Sequence, residues 1–201
     1  MIARKYAIYV ILSLFVFQFF SCNKDEEPEV LQVLTNWNME GGAGRYNDVP
    51  RGWYPYAYGH VECAWDTVEF NSPTHSLKIS SSDSTGTDVG YWVQQLTYIE
   101  HGMNLNFKIK VKAVDLVGQG PVVAVYAFST TAFTGEPVQI ATSEDIIENG
   151  QIIGTFDWKT YEVVLENIQD DVKSVYVFFV YRPDTLGDVY FDDAVAAFEE
   201  S

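Results

Sequence analysis

Basic residues are the first shortage in this chain: 12 Lys+Arg stand against 28 Asp+Glu over 201 residues, a formal charge of −16. Without a basic surface to release counterions, nucleic acid is not an expected partner. Cysteine is almost absent, and Cys22 with Cys63 cannot build a disulfide-dense scaffold. Catalytic signatures are missing too: there is no G-x-S-x-G elbow, H-E-x-x-H pair or Walker loop. His60, His75 and His101 show no ligand spacing. The closest acidic cluster, Glu144-Asp145 with Glu148, sits beside a predicted turn, whereas a glycosidase needs two carboxylates across a cleft. Cys63 near His60 is a thiol-nucleophile candidate on paper, but a lone cysteine among strand residues reads as buried and inert. The expectation is that the chain is not an enzyme. Aromatics, by contrast, are abundant: 13 Tyr, 13 Phe and 5 Trp within a 47% hydrophobic composition, which excludes disorder.

Residues 1–21 read as an address rather than as fold. Arg4 and Lys5 precede an apolar run from Tyr6 to Phe20, too short to span a membrane comfortably and the right size for a signal-peptide core. The run ends Phe19-Phe20-Ser21-Cys22, which resembles the lipobox of bacterial lipoproteins, with Phe19 where Leu is usual. That resemblance implies lipidation of Cys22; the alternative is an ordinary signal peptide with a chance cysteine. Residues 22–30 form a polar, acidic tether. A lysine followed by acids after the cysteine resembles the tag that sends some lipoproteins to the outer face of the outer membrane, or it is a plain spacer. Cleavage would leave 10 Lys+Arg against 28 Asp+Glu, a charge of −18.

Residues 31–201 read as one all-β domain. Short β-branched and aromatic runs are punctuated by Gly, Pro, Asn and Asp. Phe107, Ile109, Val111 and Ala113 alternate with Lys108, Lys110 and Lys112. The lysines make either a solvated strand face or a cradle for an acidic polysaccharide. Val122 to Phe128 is almost wholly apolar, as a strand covered on both faces would be. Tyr161, Val163 and Leu165 alternate with polar residues, and Ser174 to Arg182 and Asp188 to Phe198 complete the set. Asn149-Gly150 between two Ile-Ile pairs predicts a hairpin turn. Eight to ten such strands predict an antiparallel β-sandwich.

Three segments carry a resemblance. Asn36-Trp37-Asn38-Met39-Glu40-Gly41-Gly42 with Pro50-Arg51-Gly52-Trp53 comes first, Asn71 to Ile79 second, and Gly187 to Val195 last. Their order is similar to that of carbohydrate-binding modules of the galactose-binding-like jelly-roll type. The resemblance implies a jelly roll with a structural Ca²⁺, held by Glu40 and one or both of Asp192 and Asp193; otherwise the Asp pair merely ends a strand in solvent. Carboxylates brought together need a proton or a cation between them, and Ca²⁺ favours six to eight oxygens.

Trp53 to Trp65 is the most unusual stretch. Read as extended, it puts Tyr54, Tyr56, Tyr58, His60 and Glu62 on one face, with Trp53, Ala57, Val61, Cys63 and Trp65 on the other. The first face is an aromatic row with polar tips, suited to stacking on sugars or to filling a cleft under a loop. Since Tyr91, Val93 and Gln95 share one face and Trp92 and Gln94 the other, one ring of Tyr91 and Trp92 must leave the core. Trp92 with Gln94 is taken as the outward pair, and Tyr181 and Arg182 as further ligand candidates. The expected function is non-catalytic glycan binding by a cell-surface, outer-membrane lipoprotein that holds poly- or oligosaccharide for uptake or degradation machinery. The rivals are an adhesive or structural surface module that binds protein, and a glycan-active hydrolase or lyase.

Overall fold

The computed structural model describes residues 32–42, 48–83 and 88–200. The signal segment, Cys22 and the acidic tether lie outside the described residues.

Ten strands make two five-stranded antiparallel sheets. The front sheet has the order β1 (Tyr54–Tyr58), β4 (Val89–Gln95), β9 (Ser174–Tyr181), β6 (Pro121–Phe128), β7 (Gln139–Thr142). The back sheet has the order β2 (Val61–Asp66), β3 (Ser76–Ser81), β10 (Leu186–Glu199), β5 (Asn104–Val117), β8 (Gly154–Leu165). This is the predicted antiparallel sandwich, of jelly-roll type. The alternation in β5 works as read: Phe107, Ile109, Val111 and Ala113 are fully buried between the sheets. Rings from both sheets meet at the centre, where Phe179 stacks on Phe191 at 4.4 Å and on Trp53 at 5.0 Å. Each such fully buried side chain contributes about 1.5–3 kcal/mol of transfer free energy.

The outer face of the back sheet is charged and internally paired. Lys78 meets Asp188 at 2.9 Å, Lys108 meets Glu162 at 3.3 Å, and Lys112 meets Glu69 at 2.8 Å. Two of the three lysines of the row, Lys108 and Lys112, are held by carboxylates, as on a solvated strand face. The first motif is a structural knot. The Asn36 side chain accepts from the Gly41 N–H at 2.6 Å and donates to the Gly41 carbonyl at 2.9 Å. Two indoles tie onto the same turn, Trp53 through the Asn36 carbonyl and Trp65 through the Met39 carbonyl.

Two local expectations need correction. Asn149-Gly150 turns no hairpin; residues 143–145 and 147–149 form single 3-10 turns. The Asn149 amide is consumed inside the fold, donating to the Ser143 and Glu162 carbonyls and accepting from the Glu162 N–H. The stretch from Trp53 to Trp65 is also not one strand. It breaks at Gly59-His60, sending β1 into the front sheet and β2 into the back. Gly59 has φ 75°, and a Cβ there would lie 2.0 Å from Asp88 Oδ1, so only glycine fits the turn. Glu62 therefore leaves the tyrosine face, and Ala57, expected in the core, is exposed.

Candidate functional site

The outer face of the front sheet is apolar where that of the back sheet is charged. Register sets its rows. Tyr56 lies opposite Tyr91, and Tyr91 opposite Val180. Tyr54 lies opposite Val93, Val93 opposite Phe178, and Phe178 opposite Ala124. Gln95 lies opposite Tyr176, and Tyr176 opposite Tyr126. Directly opposed residues of an antiparallel sheet share a face, so these side chains form one continuous floor. The rings interlock: Tyr56 stacks on Tyr91 at 5.0 Å, Tyr91 meets Phe178 edge-on at 5.5 Å, and Tyr126 packs on Phe178 at 5.0 Å.

The segment 129–138 folds over part of this floor. Its Phe133 meets Tyr176 edge-on at 5.2 Å and Phe178 at 5.9 Å. Ser174 Oγ anchors the segment through the Thr130 carbonyl at 2.7 Å. Between Phe133 and the β1 tyrosines lies an open groove of about 420 Å³. Its lining is Tyr54, Pro55, Tyr56, Tyr91, Val93, Gln95, Phe133 and Tyr176. That size falls in the range of roughly 300–1,000 Å³ typical of small-ligand pockets. Burial, with the neighbouring Tyr56, pushes the Tyr91 phenol above its ordinary range, so at neutral pH it is an uncharged hydroxyl. The groove offers ring faces, phenol hydroxyls and one amide, and among the described residues its lining holds no Asp, Glu, His, Lys or Arg. Chemically it can stack and hydrogen-bond.

The sequence-derived ligand residues separate into two groups. Tyr54 and Tyr56 line the groove, 67% and 45% exposed. Tyr58 continues their row beyond it, and His60 sits in the following turn, its backbone N–H and Nδ1 both against Asp88 at 2.8 and 2.9 Å. Trp92, Gln94, Tyr181 and Arg182 belong to the scaffold, which corrects their assignment. Trp92 is in the core with its indole N–H on the Lys78 carbonyl at 3.0 Å. It was Tyr91 that left the core, because Tyr56 across the strand gives its ring a partner. The Gln94 amide donates to the Thr35 carbonyl at 2.7 Å, tying down the first turn. The Tyr181 hydroxyl donates to the Gly187 carbonyl at 2.9 Å from a fully buried ring. Arg182 donates to the Gln119 and Gly120 carbonyls and pairs with Glu144 at 3.0 Å. Cys63 donates to the Tyr56 carbonyl, and burial pushes its thiol up to about 12.

The three carboxylates assigned to calcium all serve one loop, residues 71–75. Glu40 accepts from the backbone N–H groups of Thr74 and His75. Asp192, fully buried, accepts from the N–H groups of Asn71 at 2.7 Å and Ser72 at 2.8 Å, and from that of Asp193 at 2.7 Å. Asp193 accepts from the Asn71 amide at 2.5 Å. Among the described residues no three His, Cys, Asp or Glu side chains gather where one ion could be held. Each carboxylate oxygen that accepts an N–H keeps a second lone pair, and Ca²⁺ also takes backbone carbonyls, so the calcium assignment rests on the sequence resemblance. Burial raises Asp192 to about 6 against the pull of its N–H donors, with the Asp193 charge adding to the rise.

Sequence reasoning missed Tyr91, Val93, Gln95, Phe133 and Tyr176. The first three were legible as a shared strand face, and only the choice of outward face was wrong. Phe133 lies in a loop without periodicity, and Tyr176 in a strand apolar on both sides.

No family model matches the chain, and no curated protein does. Solved structures share its fold at low identity. A Stig cyclase from Fischerella sp. TAU, solved with (3Z)-3-(1-methyl-2-pyrrolidinylidene)-3H-indole, is 12% identical over 85% of this chain and 98% of its own, with a TM-score of 0.59. The TmCBM61 module, solved with beta-1,4-galactotriose, is 12% identical over 84% of this chain and 99% of its own, with a TM-score of 0.50. The enzymatically active domain of tailspike protein 4 from bacteriophage CBA120 is 12% identical, with a TM-score of 0.55; this chain covers 84% of itself and 21% of that longer protein. The chain is therefore similar in fold both to a carbohydrate-binding module and to enzymes.

Proposed function

We propose that this chain is a non-catalytic glycan-binding lipoprotein, anchored through Cys22 and displayed at the surface of the outer membrane. The observation that carries the reading is the uncharged aromatic groove on the front sheet. Sugar rings expose C–H faces that stack on tyrosine and phenylalanine, while hydroxyls meet the phenols and Gln95. Absence of carboxylates from the lining supports binding without hydrolysis. Support for the anchor is the Ser21-Cys22 motif and the acidic tether. The Fischerella cyclase fold favours a second reading, since its crystals held an indole derivative and this groove is lined by aromatic rings.

The deciding experiment is a polysaccharide panel probed with the full chain and with Tyr91→Ala. Retention by one or more polymers, weakened at least tenfold in the variant, supports the proposal. Silence across neutral and acidic polymers sinks it; quenching of protein fluorescence by indole would then favour the small apolar ligand.

A further inference from the structure

We infer that the groove selects uncharged glycan chains and rejects uronate-bearing ones; this rests on the glycan-binding reading above. A carboxylate entering the groove would leave water for a floor of Tyr91, Val93 and Tyr176 between the walls Tyr54 and Phe133. Among the described residues no lysine, arginine or histidine lines that space to receive it. A charge desolvated with only neutral hydroxyl and amide donors to meet it is unfavourable, whereas a hydroxymethyl group at the same position loses little. Four cations outside the lining are engaged elsewhere. Arg182 is fixed by two backbone carbonyls and Glu144, while Lys78, Lys108 and Lys112 are paired on the opposite sheet. The net charge of −16 adds a long-range repulsion of polyanions. Of the non-aromatic lining residues only Gln95 carries a polar side chain, and its neutral amide suits a hydroxyl.

Two sources of exclusion are thereby separable. Long-range repulsion fades when salt shortens the Debye length to a few ångströms; the local desolvation penalty does not.

The test uses the full chain against matched polymer pairs: β-glucan, galactan and mannan with their C6-carboxylated forms, and glucuronoxylan with its carboxyl-reduced form. The neutral member of at least one pair should be retained, with the carboxylated member at least tenfold weaker at both about 20 mM and about 500 mM NaCl. Gln95→Lys, which places a cation at the floor, should narrow that gap to threefold or less. Equal or stronger retention of the carboxylated member overturns the inference while leaving the glycan reading standing. So does a gap that vanishes at high salt, or one that Gln95→Lys leaves unchanged. Silence toward every pair defeats the glycan reading itself and this inference with it.

Discussion

Tyr91 and Trp92 are chain neighbours that face opposite sides of one strand, and they should answer mutation differently. Trp92→Ala removes a core indole with its hydrogen bond to Lys78, and a loss of about 3–5 kcal/mol in chemical denaturation is expected. Tyr91→Ala opens only the groove floor, so binding should fall at least tenfold with a far smaller loss of stability. Asp192 gives the pH prediction. Its folded pKa of about 6 lies above the ordinary 3.8, chiefly because burial disfavours the charged form. A raised folded pKa stabilises below the unfolded value and loses that contribution as pH rises through the folded one. Relative to Asp192→Asn, the native chain should therefore gain stability when moved from about pH 7 to about pH 4.5. Unfolding free energies that change in parallel for the two proteins would contradict the assignment.

Among the elements, β1 and the segment 129–138 form the two walls of the groove. Phe133 is held by edge contacts with Tyr176 and Phe178, each aromatic pair worth about 0.5–1.5 kcal/mol beyond area burial. Phe133→Ala should weaken binding roughly three- to tenfold, as one such contact predicts, and leave the melting midpoint within a few degrees. The loop 71–75 is clamped from both sides by Glu40 and by Asp192 with Asp193. Calcium titration tests the cofactor expectation for this clamp: a thermal midpoint above that of chelator-treated protein supports it. A midpoint that calcium leaves unchanged would sink it.

For the whole molecule, the contrast between its two outer faces matters more than its net charge. The back face carries paired lysines and carboxylates in water, and exposed pairs of this kind contribute about 0–1 kcal/mol each. Lys108→Ala should accordingly shift stability by less than about 1 kcal/mol and leave glycan retention untouched. The front face has no such shell. Its floor stays hydrated on an apolar surface, which is the free-energy reservoir a stacking ligand would draw on.

Alternation along β5 and β8 and the tyrosine spacing of β1 were legible in the sequence, because period two follows from backbone geometry alone. The Tyr91, Val93 and Gln95 face was legible as a set for the same reason. Which side of β4 would meet the core was not, since that depends on Tyr56 and Phe178 arriving from other strands. Tertiary structure likewise decided that Asn149 would spend its amide inside the fold. It also decided that Arg182 would hold backbone carbonyls, and that Phe133 would stand over a strand more than forty residues away in the chain. Local pattern determined the strands and the sandwich; the groove exists only because distant side chains, each ambiguous alone, bury part of one another's surface and leave the rest in water.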